Sequence, residues 1–158
     1  MNRPVRVRGR RPTAAGALAL VVVTAVAGCA GSSRSDEDYR HKAANTAEAA
    51  ASAVSTARLA VEAAGRGRLT GPYVSVLLGG AETDLLAAQE TFESRQPPGE
   101  TADAVRERLG TLLDDAADAL AEVRIGARRG EVREPAEHTG DLREAAGRLE
   151  DFEEEMSS

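Results

Sequence analysis

Residues Asp36 to Ala64, DEDYRHKAANTAEAAASAVSTARLAVEAA, decide the fold. The stretch holds no proline and no glycine, and alanine, the best helix former, dominates it. Ala43, Ala47, Ala50, Val54, Ala57, Val61 and Ala64 recur at spacings that alternate between four and three. That rhythm puts one apolar stripe along a helix, and its small residues allow a neighbouring backbone to come close. Ser35 is placed to cap the start, with Asp38 as the acidic partner of a capping box. Asp36, Glu37 and Asp38 suit the positive end of the helix dipole. The first helix is therefore expected over about 36–64, ending at the glycines between Gly65 and Gly71.

Three further stretches follow the same pattern. A second helix over about 72–95 opens on Pro72 and carries Val74, Leu78, Ala81, Leu85, Ala88 and Phe92, widened by Leu77 and Leu86. Gly79-Gly80 interrupts it and marks either close packing or a bend. A third over about 101–128 follows Pro97-Pro98-Gly99, with a seam of Ala102, Val105, Leu109, Leu112, Ala116, Ala119 and Val123. Leu113 and Leu120 broaden that face, and Arg128 and Arg129 suit its C-terminal end. A fourth over about 135–156 opens on Pro135 and carries His138, Leu142, Ala145, Leu149, Phe152 and Met156. Ile125 and Val132 are expected to close one end. Four amphipathic helices on short connections make an all-α chain. The economical arrangement is an antiparallel up-down-up-down four-helix bundle with an alanine-rich core. A dimerising α-hairpin, or three helices with a loose fourth, are the competing arrangements.

Upstream of this domain the chain changes character. Arg3, Arg6, Arg8, Arg10 and Arg11 precede an uncharged, mostly apolar run from Thr13 to Ala27, TAAGALALVVVTAVA. A basic head, a short apolar run and small residues make a secretory signal. The run falls short of the roughly 20 residues of a membrane-spanning helix. It ends Val26-Ala27-Gly28-Cys29, with the only cysteine of the chain. This ending resembles the signal of bacterial lipoproteins, which is cut before a cysteine that then carries a diacylglycerol. Ala27, Gly28 and Cys29 match that pattern, and Val26 stands where leucine is commoner. Arg10-Arg11 is similar to a twin-arginine signal, but Pro12-Thr13-Ala14 does not supply the apolar pair that such a signal has next. The resemblance implies a signal peptide over 1–28 and lipidation of Cys29; with the helical pattern it leaves a lipidated flexible tether over 29–35 before the bundle over 36–156. It also implies anchoring at the outer face of the bacterial cell membrane or at an outer membrane.

Removal of residues 1–28 would leave fifteen basic residues against 26 acidic ones, a net charge of −11. A surface this acidic argues against a nucleic-acid partner and against lying flat on anionic lipid. From Ala30 onward only 22 of 129 residues are Leu, Ile, Val or Phe, a share low enough to signal disorder without the periodicity.

The sequence presents little chemistry. His41 and His138 fall near the starts of helices one and four, roughly 30 Å apart in an alternating bundle, so they share no metal. His41 could meet Glu150, Glu153 or Glu154, but a solvated histidine is the simpler reading. Neither histidine has a glutamate three residues before it, as a di-iron bundle needs. Asp36–Asp38, Glu150–Glu155 and Asp114, Asp115 and Asp118 lack calcium-loop spacing. No nucleophile has a base beside it. Gly65-Arg66-Gly67-Arg68 lacks the ending of a phosphate loop, though Arg66, Arg68 and Tyr73 are candidate contacts for an anionic partner. The expectation is a non-catalytic, cofactor-free and metal-free helical lipoprotein. Its partners would be the bilayer, through acylated Cys29, and an envelope protein or polymer. A small-molecule or metal carrier, and an accessory subunit of a membrane enzyme or transporter, are the alternatives.

Overall fold

Ser35 caps the first helix with extended backbone, φ −151° and ψ 162°, and its hydroxyl accepts the Asp38 backbone N–H at 3.1 Å. In this computed structural model the described residues are 35–130 and 135–158, with 135–138 described by their backbone alone. The signal segment, Cys29, Val132 and the His138 side chain lie outside the described residues. The helices are α1 (Asp36–Gly65), α2 (Gly71–Glu93), α3 (Glu100–Arg129) and α4 (Pro135–Ser157).

They form a four-helix bundle in sequential, up-down contact. α1 lies beside α2 and α4, α3 lies beside the same two, and α1 also reaches α3 across the shorter diagonal. Side chains mark the alternating direction. Arg40 near the start of α1 donates to the Glu155 carbonyl near the end of α4, and Arg106 early in α3 donates to the Glu93 carbonyl at the end of α2.

The seam read on α1 is buried from Ala43 to Val61, with Ala64 packed at its edge. Tyr39, Ala44, Ala51, Ala53 and Ala60 are buried as well, because this helix faces three others. On α2 the core holds Val74, Leu78, Ala81, Leu85 and Phe92. Leu86 does not widen that face; it is 49% exposed. A Cβ added at Gly79 or Gly80 would meet nothing within 4 Å, so the pair does not serve close packing. On α3 the face is turned by one position. Leu113 and Leu120 enter the core, while Leu112 and Ala119 are half-buried beside it. Ile125 is 45% exposed and closes nothing. α4 buries Leu142, Ala145, Ala146, Leu149, Phe152 and Met156.

The helix ends are set locally. α1 stops in a left-handed turn at Gly67, φ +68°, where Gly67 N–H bonds the Ala64 carbonyl and Arg68 N–H the Ala63 carbonyl, both at 2.8 Å. This paired closure suits glycine, the residue that adopts positive φ without strain. α2 stops at Glu93, where Arg106 of α3 takes the Glu93 and Arg95 carbonyls at 2.8 and 3.1 Å. α3 ends at Gly130, φ +79°. Among the described residues, no helix is long and apolar enough to cross a membrane.

Candidate functional site

Polar chemistry collects at the two ends of the bundle. At the Asp36 end, Tyr39 is fully buried with its ring centroid 5.3 Å from that of Phe92. Its hydroxyl has no hydrogen-bond partner. Burial pushes its pKa up, opposed by Arg106 and Arg95 and reinforced by Asp103. The Nε of Arg95 is likewise buried without a partner. Tyr39 and Phe92 fill this end of the core, and Arg95 also lines a shallow groove between α1 and α2. Next to them, Arg108 grips both carboxylate oxygens of Glu155 at 2.8 and 2.6 Å and lies 5.3 Å over the Phe152 ring. This hydrogen-bonded pairing raises the Arg108 pKa and lowers that of Glu155. The open groove between α3 and α4 there also holds Arg148, which is paired with Asp115 at 2.6 Å. Both of its arginines are thus matched internally.

The acidic stretches at the start of α1 and the end of α4 meet at this same end, as the Arg40–Glu155 contact requires. His41 there is exposed. Among the described residues, no group of three His, Cys, Asp or Glu side chains is placed to hold a metal ion.

The opposite, Gly130 end is built differently. The closure of α1, the start of α2 and the end of α3 enclose a cavity of about 850 Å³. Its apolar lining is Ala64, Leu69, Val74 and Ala127; Thr70 and four glycines complete it. The volume falls within the usual range for small-molecule sites. Leu69 reaches it because the left-handed turn at Gly67 folds the chain back over α1, where Leu69 packs against the core. Thr70 begins α2 without a side-chain capping bond.

The three residues read as contacts stand around this opening. Arg66 lies between two lining residues, Gly65 and Gly67, and its guanidinium is 3.6 Å from Glu62. Arg68 lies between Gly67 and Leu69 and is exposed. Tyr73 precedes Val74 and is 56% exposed. Arg128 and Arg129, between Ala127 and Gly130, are exposed too. Among the described residues, Arg68, Arg128 and Arg129 make no ion pair. Glu62 organises the neighbouring charge: Arg58 meets it at 2.6 Å and Arg143 of α4 at 3.8 Å. Arg58, Glu62 and Arg66 stand four residues apart in the sequence, the spacing that brings such side chains together on a helix. Leu69, Ala127 and Gly130 carried no such signal, because the fold alone brings them together.

No family model matches the chain, and neither a characterised protein nor a solved structure does.

Proposed function

We propose that the chain is an exported lipoprotein: a four-helix bundle with an alanine-rich core, held at a membrane by acylated Cys29, that acts by contact rather than catalysis. One observation carries the reading. An apolar run ends in Ala27-Gly28-Cys29, and a capped helix begins at Asp36, so a short polar link joins the cysteine to a folded domain. In that reading the Asp36 end is the end joined to the anchor, and the 30 residues of α1 put the Gly130 end about 45 Å from it. The working surface is this far end, with Arg66, Arg68 and Tyr73, and its partner is an envelope protein or polymer. The cavity beside them favours a second reading, in which the far end holds a small molecule.

The test is metabolic labelling with an alkyne fatty acid, followed by cross-linking in the native membrane, on the wild type and Cys29→Ala. The wild type should take label and fractionate with membranes, and the variant should do neither. A wild-type chain recovered unlabelled and free of the membrane would overturn the anchor. Cross-links confined to the Asp36 end would overturn the assignment of the working surface.

A further inference from the structure

We propose that the cavity at the Gly130 end binds a small amphipathic anion, a medium-chain carboxylate free in solution, with its apolar chain inside and its carboxylate on the arginine rim. The proposal rests on the reading of this end as the working surface; binding of the anion does not require the lipid anchor, and only the choice of a free solute over a bilayer lipid draws on it.

Three features argue for it. The first is the lining: Leu69, Val74, Ala64 and Ala127 supply apolar surface, and four glycines leave space where side chains would fill it. Val74 belongs to the core, 2% exposed, so the inner wall is set by packed helices. The second is the charge at the mouth. Arg66, Arg68, Arg128 and Arg129 are each held between lining residues along the chain, so none is far from the opening. Three of them are unpaired among the described residues, whereas Arg108 and Arg148 in the groove at the other end are paired. The third is the contrast between the ends. Asp36–Asp38 and Glu150–Glu155 crowd the Asp36 end, so an anion is repelled there and drawn to the Gly130 end. A cavity that joins apolar side chains to polar backbone, with a few convergent charges at its mouth, can hold both parts of an amphipathic ligand. A cation of equal chain length gains the burial and loses the rim.

The free solute is chosen over a bilayer lipid because the opening lies at the end of the bundle away from the start of α1, to which the anchor is joined. The chain has no tryptophan, so Tyr73→Trp places a single reporter at the rim of the full-length protein. Held in nanodiscs of neutral lipid, this protein is titrated with octanoate, with octylamine and with anionic phospholipid vesicles. Octanoate should give a saturable fluorescence change with a midpoint of about 1 mM or below, from the affinity that a ligand of this size can reach. Octylamine should bind roughly ten-fold more weakly, and Arg68→Glu with Arg128→Glu should weaken octanoate roughly five-fold. Those two changes are on the surface, and circular dichroism verifies that the helices persist. Leu69→Asn should remove saturation. Equal responses to octanoate and octylamine, or an octanoate response unchanged by the arginine or Leu69 substitutions, would overturn the proposal. A saturable response to anionic vesicles alone would overturn the choice of a free solute. Because the readout does not involve Cys29, a negative result here leaves the labelling experiment to stand or fall separately.

Discussion

The Tyr39 ring stands 5.3 Å from the Phe92 ring, centroid to centroid, with the planes tilted by 47°. Both side chains are almost wholly removed from solvent, and together they plug the Asp36 end of the bundle. The contact joins the second turn of α1 to the last turn of α2, so it fixes where those antiparallel helices meet. Its energy comes from the rings, because the Tyr39 hydroxyl has no partner to lose. Tyr39→Phe is therefore expected to keep or raise stability, by up to about 1 kcal/mol, since an unsatisfied buried hydroxyl is a cost. Tyr39→Ala should lose about 3–5 kcal/mol through the cavity it leaves. Urea unfolding monitored by circular dichroism separates the two. Marked destabilisation by Tyr39→Phe would mean that the hydroxyl is bonded after all.

The same burial sets a pH dependence. The folded chain holds the Tyr39 pKa above its ordinary value of 10.0, chiefly by desolvation. The unfolded chain ionises near the ordinary value. Between the two, unfolding releases a proton, so the contribution is intact below about pH 10 and is lost as pH rises through the folded value. Wild-type stability should fall more steeply above pH 10 than that of Tyr39→Phe. Parallel alkaline unfolding curves for the two proteins would contradict this.

The bidentate Arg108–Glu155 pair works on the acid side. The hydrogen bonds from Arg108 hold the Glu155 carboxyl below its usual range. A depressed folded pKa gives stability that is present above the unfolded value and is lost as pH falls through the folded one. Arg108→Met should therefore return the Glu155 titration toward the ordinary carboxylate range, read by carbon NMR of the side-chain carboxyl. Both side chains are about half exposed, so added salt should shrink the wild-type shift. A Glu155 titration unaffected by Arg108→Met would show that the pair does not persist in solution.

Glycines in this chain have opposite roles that periodicity does not distinguish. Gly67 has φ +68° and closes α1, and an added Cβ would meet nothing within 4 Å. Gly67→Ala should accordingly cost about 1 kcal/mol from backbone conformation alone. Gly80 lies within α2, is exposed, and also has open space around it. Gly80→Ala should stabilise by about 1 kcal/mol through helix propensity. Thermal melts of the two variants should move in opposite directions, and a shift in the same direction would refute one assignment.

What was legible follows from this distinction. The α1 seam was readable because alanine and valine recur there against Glu, Arg, Ser and Asn, so one face stands out. On α3 the signal was ambiguous by one position, because Leu112 and Leu113 are adjacent and alanines occur on both flanks. Packing against two neighbours and the α1 diagonal selects Leu113 and Leu120. Arg66, Arg68 and Tyr73 stood out as charge and aromaticity in a glycine-rich connection, but the cavity they surround needs Ala127 and Gly130 from a helix remote in the chain. Leu86 and Ile125 are apolar residues left at the surface, and composition alone does not identify which ones those are.

The small side chains of α1 offer the most direct test of how the bundle is held. Ala47 is fully buried and lies on the stripe where α1 faces its neighbours. Ala49, two residues on, is exposed and lines a shallow groove between α1 and α2, opposite Ala87 and Ala88. Leucine at 47 must push a packed helix away, at a cost of about 1–3 kcal/mol. Leucine at 49 enters open space over an apolar floor and should be neutral or slightly stabilising. The volume added is identical at the two positions, so the difference between their unfolding midpoints isolates packing from composition. If Ala47→Leu proves as mild as Ala49→Leu, α1 can draw back from its neighbours at little cost, and close approach of small residues is not what holds the helices together.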